Sequence, residues 1–192
     1  MTDKGVLIVV SAPSGCGKST VLRRLMELRE KLHFSVSATT RAPREGEEDG
    51  VHYFFVEREA FEKMIRDGAF LEYAQYVGNY YGTPRAAVEE QIARGYDVYL
   101  DIEVQGAMQI KSARPETLLI FLMPPSMEEL ERRLTGRGTD SPETIRSRLN
   151  EAERECGERD RYDFIVVNDE VDRAAAEISG IIDGYKCRIN KF

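Results

Sequence analysis

Residues 12 to 20 bring together side chains that hold phosphate: Ala12, Pro13, Ser14, Gly15, Cys16, Gly17, Lys18, Ser19 and Thr20. A lysine ammonium reaches β- and γ-phosphate oxygens, a serine hydroxyl is a ligand for Mg²⁺, and glycines let backbone N–H groups close on an anion. Ala12 stands where the pattern G-x-x-x-x-G-K-[ST] has its first glycine, and its methyl is accommodated if its φ is negative. Cys16 lies near helix amides and Lys18, a setting that favours a thiolate; it also reads simply as a small residue that fits. Arg41 and Arg44 stand among small residues, where an arginine fork suits a phosphate or a carboxylate and a solvated connector is the alternative. Asp101 ends an apolar run and matches a Walker-B-type aspartate, able to contribute indirectly to Mg²⁺ binding beside a phosphate loop. Arg133, Arg137, Arg146 and Arg148 surround a Gly136–Gly138 hinge. They read either as a solvated helical hairpin or as a mobile lid that brings arginines onto phosphates. His33 and His52 have no paired ligands and receive no metal or catalytic role.

The elements that must position these groups follow from the pattern. Val6–Val10 is an unbroken apolar run, the form of a strand buried on both faces. After the small-residue turn, Val21, Leu22, Leu25, Met26 and Leu28 recur at helical spacing. His33–Ser37 reads as a short strand, Ala38–Gly50 as loop, and Val51–Val56 as strand. Glu57–Asp67 reads as a helix ended by Gly68, and Ala69–Val77 as strand. Gly78–Gly82 reads as a turn, and Thr83 as the cap of a helix with Pro84 first and Gly95 last. Asp97–Asp101 and Thr117–Met123 are strands, Ser126–Glu129 a capping box, and Ser141-Pro142 a second helix start. Tyr162–Val167 reads as a buried strand and Val171–Tyr185 as a closing helix.

Strands alternating with helices predict an α/β fold, a parallel sheet flanked by helices. Two stretches break the beat. Ser37–Thr83 packs several short β segments and reads as an inserted lobe, and Gly136–Gly157 as a second excursion. Both are expected near the carboxyl ends of parallel strands, where open sheets bind ligands. The chain has 192 residues, 42% hydrophobic and 32% charged, the balance of one soluble domain. No apolar run approaches the ~20 residues of a membrane span. The start MTDKG leads straight into the first strand, so no signal peptide is expected. Three scattered cysteines (Cys16, Cys156, Cys187) suit a reducing cytoplasm rather than a disulfide framework. A net charge of −7 argues against broad binding to nucleic acid backbone, so an anionic substrate must be held by local arginines and lysines, and neither nucleic acid nor a membrane is expected as a partner.

A P-loop, a strand-end aspartate and an arginine lid describe Mg²⁺-dependent phosphoryl transfer from ATP. Phe34–Arg44 (FSVSATTRAPR), Gly78–Thr83 (GNYYGT), Asp101–Gly106 (DIEVQG) and Gly136–Thr139 (GRGT) resemble, in order and spacing, the motifs of the guanylate kinase family over nearly the whole chain. The resemblance implies a P-loop NTPase-type core (1–36, 84–135 and 158–192), a GMP-binding lobe (37–83) and a helical lid (136–157). It implies that Arg41, Arg44, Tyr53 and Tyr81 hold the phosphate of GMP or dGMP, while Ser37, Glu72, Thr83 and Asp101 face the nucleotide. Glu103 stands where the family commonly has aspartate and is one methylene longer. ATP would lie on residues 12–20 with Arg133 and Arg137, with Asn168 at the adenine and Ser19 on Mg²⁺. Lys18, Arg41, Arg137 and Arg148 would neutralise charge on the transferring phosphoryl. The residues themselves agree: guanine offers N1–H and N2–H₂ donors that a buried Glu72 carboxylate accepts, whereas adenine presents a bare N1 acceptor to it. Two rivals are a non-catalytic interaction domain, opposed by the intact Gly17-Lys18-Ser19, and a same-fold kinase for another phosphorylated acceptor, opposed by the Ser37–Arg44 and Tyr80–Thr83 motifs.

Overall fold

A computed structural model describes residues 4–136 and 140–189. They form two compact units, one of Met1–Ile8 with Lys31–Thr117 and one of Val9–Glu30 with Leu118–Phe192. The chain passes from the first to the second within strand β1 (Leu7–Ser11), buried at every position as its unbroken apolar run requires.

In the first unit, β2 (Leu32–Phe34) pairs in parallel with β7 (Asp97–Asp101), Leu32 opposite Asp97 and Phe34 opposite Tyr99. The four residues of β7 before Asp101 are buried and Asp101 itself is exposed, so the strand delivers a carboxylate at its carboxyl end. A second sheet has the order β4-β3-β6-β5, from β3 (Ala38–Thr39), β4 (Phe54–Phe55), β5 (Phe70–Tyr76) and β6 (Asn79–Pro84). Helix α2 (Arg58–Arg66) closes one face of it. Phe61 is fully buried and stacks on Phe70 at 4.4 Å and on Tyr80 at 5.2 Å. Helices α3 (Arg85–Ala93) and α4 (Val104–Ala113) complete the unit.

Several expectations for this unit are corrected. The segment Gly78–Gly82 is not a turn: β5 and β6 form a hairpin closed by two residues, Val77 and Gly78, at φ 46° and 79°. Positive φ at both centres is what a two-residue hairpin turn needs, and it frees the β-prone Tyr80 and Tyr81 to pair. Thr83 does not cap a helix; it lies buried inside β6, and Pro84 is the last strand residue before α3. Ser37 falls outside β2, and the strand expected over residues 51–56 shrinks to Phe54–Phe55. Helix α4 was not anticipated, because DIEVQG hides its start.

In the second unit, α1 (Lys18–Leu28) buries Val21, Leu22 and Leu25 but leaves Met26 and Leu28 exposed, so its apolar face is narrower than the spacing suggests. Strands β8 (Leu118–Met123) and β9 (Phe164–Val167) pair in parallel. β9 is not the buried strand expected: only Val166 is fully covered, and Ile165 and Val167 are exposed. Helix α5 (Met127–Thr135) starts at the anticipated cap, the Ser126 hydroxyl accepting the Glu129 N–H at 3.1 Å. Helix α6 (Pro142–Gly157) starts at Ser141, with Pro142 in its first turn. Leu130 and Leu134 pack on Ala152, Ile145 and Leu149 between these helices. Helix α7 (Val171–Ile189) is tied to α1 by Arg24–Asp172 and Arg29–Asp183. Among the described residues, no helix is long and apolar enough to cross a membrane.

Candidate functional site

The phosphate loop lies in the second unit. Gly15 and Gly17 sit at φ 90° and 91°, a conformation that L side chains rarely adopt, so the glycines are required by the turn itself. Ala12 is not among the residues with positive φ, which is why its methyl is tolerated. Gly17 is the N-cap of α1 and adds no side chain over the helix end, leaving the helix amides and the positive dipole end to meet an anion. Lys18 is half-buried, and Ser19 and Thr20 are exposed.

The loop is held from behind. The carbonyl of Cys16 accepts from Asn168 Nδ2 at 2.7 Å and from Arg133 Nη1 at 3.2 Å. Arg133 also donates to the Asn168 carbonyl at 3.1 Å and to Glu129 at 2.8 Å. Two donors on one carbonyl fix the orientation of that peptide and hence the direction in which the following amides point. Arg133 and Asn168, both expected at ATP, are therefore also supports of the loop. Asn168 is 3% exposed. Arg148 on α6 reaches the same loop, donating to Ser14 Oγ at 3.0 Å and to Asp140 at 2.6 Å. Arg137 lies outside the described residues. The reactive reading of Cys16 is overturned: its side chain is fully buried, Sγ donates to the Leu122 carbonyl at 3.5 Å, and burial pushes the thiol up to about 12 against the opposing pull of Arg133 and Lys18.

A separate pocket of about 310 Å³ lies in the first unit. Ser37, Tyr53, Glu72, Tyr81, Asp101 and Glu103, all expected at an acceptor nucleotide, line it. Thr83 stands behind Glu72 and donates its hydroxyl to Oε1 at 2.6 Å. Glu72 is 6% exposed, and burial raises its carboxyl above the ordinary value although the Thr83 bond pulls the other way. A carboxylate so placed favours a ligand that brings hydrogen-bond donors. Tyr53 and Tyr81 meet edge to face at 6.0 Å, with the Arg41 guanidinium 5.4 Å from the Tyr53 ring centre. Arg44 is exposed.

Some residues that organise this pocket escaped sequence reasoning. Glu47 takes the Arg41 fork in both hands, at 2.8 and 2.9 Å, and accepts the Arg44 N–H at 2.7 Å. Those bonds hold the Glu47 carboxyl at about 2, well below the usual range. Its only signal was one acidic residue among four, Glu45, Glu47, Glu48 and Asp49, that follow the two arginines of the loop. Gly106 and Gln105 also line the pocket, and Gln109 holds the edge of β5 beside it.

Comparison with known proteins agrees with this geometry. The family profile for guanylate kinase matches residues 4–185. The chain is 52% identical over 184 residues to a guanylate kinase of Listeria innocua, covering 95% of this chain and 90% of that protein. It is 51% identical over 192 residues to a guanylate kinase of Streptococcus agalactiae, covering 100% of this chain and 92% of that protein. The crystal structure of guanylate kinase from Anaplasma phagocytophilum superposes with a TM-score of 0.76 at 37% identity, over 96% of this chain and 88% of that one. With a glycine-turned phosphate loop on one unit, a carboxylate-floored pocket on the other, and a family match spanning both, the chain belongs to the guanylate kinase family.

Proposed function

We propose that the chain transfers the γ-phosphoryl group of ATP to GMP or dGMP, giving ADP and the corresponding diphosphate. The observation that carries the choice of acceptor is Glu72, a carboxylate buried in the pocket wall with its second oxygen already used by Thr83. Guanine brings the donors such a group lacks; adenine brings an acceptor and would leave a buried charge unpaired. Ser37, Asp101 and Glu103 complete the nucleotide pocket, and Arg41, Arg44, Tyr53 and Tyr81 take the acceptor phosphate. Glu47 occupies one edge of Arg41, and its displacement or retention by the phosphate is part of the binding step. Residues 37–83 then serve as the acceptor lobe and 136–157 as a lid.

A phosphate oxygen of GMP, already ionised, attacks the γ-phosphorus. The bond to the bridging oxygen breaks and ADP leaves with the electron pair, so no general base is required. Catalysis is positioning and charge neutralisation. The amides after Gly17 and the Lys18 ammonium hold the β- and γ-phosphates. Arg148, bound through Ser14 to the loop, and Arg137 add positive charge. Asn168 Oδ1 is the adenine contact, its Nδ2 being on the Cys16 carbonyl. The exposed Ser19 hydroxyl is a hard oxygen donor, which fits Mg²⁺. Mg²⁺, when bound, neutralises charge on the phosphate oxygens. A bacterial-type cytoplasm supplies both nucleotides and is the proposed location.

The test is ATP-dependent diphosphate formation on GMP, dGMP, AMP, CMP and UMP. GMP and dGMP are expected to turn over, and Lys18→Ala to lose on the order of 10²-fold or more in kcat with little change in GMP affinity. Rapid turnover of AMP with none of GMP overturns the acceptor assignment; no turnover of any acceptor favours an interaction domain.

A further inference from the structure

Gly106 sits in the third position of α4, and its φ is not positive, so nothing about the backbone calls for glycine there. Alanine is the better helix former. What the position cannot accept is bulk. A Cβ on Gly106 would lie 2.9 Å from Glu72 Oε2, 3.3 Å from the Glu72 carboxyl carbon and 3.2 Å from Ile102 Cδ1. Real Cβ atoms do not stand that close to a carboxylate oxygen, so one of the two must move. Glu72 Oε1 is tethered to Thr83 at 2.6 Å, and Oε2 fills the space that a side chain at Gly106 would need.

The neighbouring turn of α4 fixes the strand that carries Glu72. Gln109 Oε1 accepts the Tyr73 N–H and Gln109 Nε2 donates to the Tyr73 carbonyl, both at 3.4 Å. The side-chain amide thus answers both backbone groups of the residue next to Glu72, as a neighbouring strand would. Without it, β5 at Tyr73 would exchange these bonds for water and gain freedom to shift. A reader of base edges tolerates little displacement, because a hydrogen bond weakens steeply with angle and distance.

We infer that Gly106 and Gln109 set acceptor-base specificity as positioning residues: the missing side chain of one and the amide of the other place the Glu72 carboxylate where it meets the base. The inference rests on the reading of Glu72 as the group that recognises guanine.

The experiment is a double-mutant cycle. Gly106→Ala is made in the wild type and in Glu72→Gln, and kcat/KM is measured with GMP and AMP, alongside KM for ATP and the melting temperature. In the wild type, Gly106→Ala is expected to lower kcat/KM for GMP about 10- to 100-fold, the range for one lost hydrogen bond to a charged group, mainly through KM. KM for ATP should stay within about threefold, because it does not depend on the carboxylate position, and AMP turnover should not fall with that of GMP, because moving the carboxylate takes no hydrogen bond from adenine. In Glu72→Gln the same change should alter GMP turnover by no more than about threefold, because the carboxylate is already gone. Equal losses in both backgrounds, or parallel losses for GMP and AMP, overturn the inference. If Gly106→Ala does not fold, Gln109→Ala decides: a several-fold fall in the GMP-to-AMP ratio supports the inference, and an unchanged ratio overturns it. A wild-type ratio in Glu72→Gln itself strikes the reading of Glu72, and the inference falls with it.

Discussion

Glu72→Gln separates charge from shape, because the two side chains are nearly isosteric. Glu72 Oε1 accepts the Thr83 hydroxyl at 2.6 Å, so the glutamine amide has two orientations. If its oxygen stays on Thr83, its NH₂ faces the N1–H and N2–H₂ donors of guanine. If it turns over, it offers guanine one acceptor while the Thr83 proton loses its partner. Either way one buried hydrogen bond is lost together with the charge that strengthened the rest, a loss of about 3 kcal/mol, or on the order of 10²-fold in kcat/KM for GMP. AMP should gain, since an NH₂ can donate to adenine N1. Stability moves the other way. Burial raises the Glu72 carboxyl above its ordinary 4.5, so the folded state holds that proton to higher pH than the unfolded chain does. Wild-type stability is therefore lost as pH rises from about 4.5 through the raised value, and Glu72→Gln escapes that loss. Steady-state kinetics on GMP and AMP, with thermal melts of the unliganded protein at pH 5 and pH 8, test both halves. The variant should melt higher than the wild type at pH 8, with the gap narrowing toward pH 5. GMP turnover within threefold of wild type at an unchanged GMP-to-AMP ratio refutes the reasoning.

Three further outcomes are expected. Val77→Asn should raise stability by about 1 kcal/mol, seen as a melting temperature about 2–4 °C higher, since a β-branched residue at φ 46° is strained and asparagine tolerates that region; a lower melting temperature would count against the strain. Brief iodoacetamide treatment of the folded protein at pH 7.5 should modify the exposed Cys187 and spare the buried Cys16, read by peptide mass mapping, so that Cys187→Ser keeps its activity under the reagent. Glu47→Gln should be less stable than wild type at pH 7, by urea unfolding. Because Arg41 and the Arg44 N–H hold the Glu47 carboxyl at about 2, that advantage is present above the ordinary 4.5 and fades as pH falls toward about 2; a gap that widens in acid would contradict it.

The phosphate loop was legible because its parts are local. An apolar strand, two glycines at left-handed φ and a lysine opening a helix all lie between Leu7 and Leu28. The pocket of the first unit was legible only through motif resemblance, since Ser37, Tyr53, Glu72, Tyr81 and Asp101 come from separate elements and no single periodicity joins them. The errors fall where local signals conflict. Gly78–Gly82 carries two glycines, yet the two tyrosines between them pair as strand because the packing of Tyr80 on Phe61 and of Tyr81 against Tyr53 outweighs the turn propensity. Tyr162–Val167 is apolar enough for a core strand, but it pairs only with β8 among the described residues and leaves Ile165 and Val167 exposed.

What composition and spacing could not carry is which polar groups are already committed. Arg41 reads as a free fork, but Glu47 holds one edge of it; Arg133 and Asn168 read as ligand contacts, but both hold the Cys16 carbonyl. These commitments have opposite meanings. A donor on the Cys16 carbonyl leaves the phosphate-binding amides better aimed, so it works with the ligand. A carboxylate on Arg41 competes for the charge an acceptor phosphate needs, yet it also stops the guanidinium from swinging into solvent. Orientation of a rotamer-rich side chain before binding removes an entropy loss of order 0.5–1.5 kcal/mol from the binding step. Besides Glu47, the Arg41 guanidinium donates to the Ala42 carbonyl at 2.8 Å, which adds to its orientation. On that balance the proposed role of Glu47 is to position Arg41 rather than to inhibit, and the same logic applies to Glu72, which Thr83 holds by a hydrogen bond and Gly106 leaves room for.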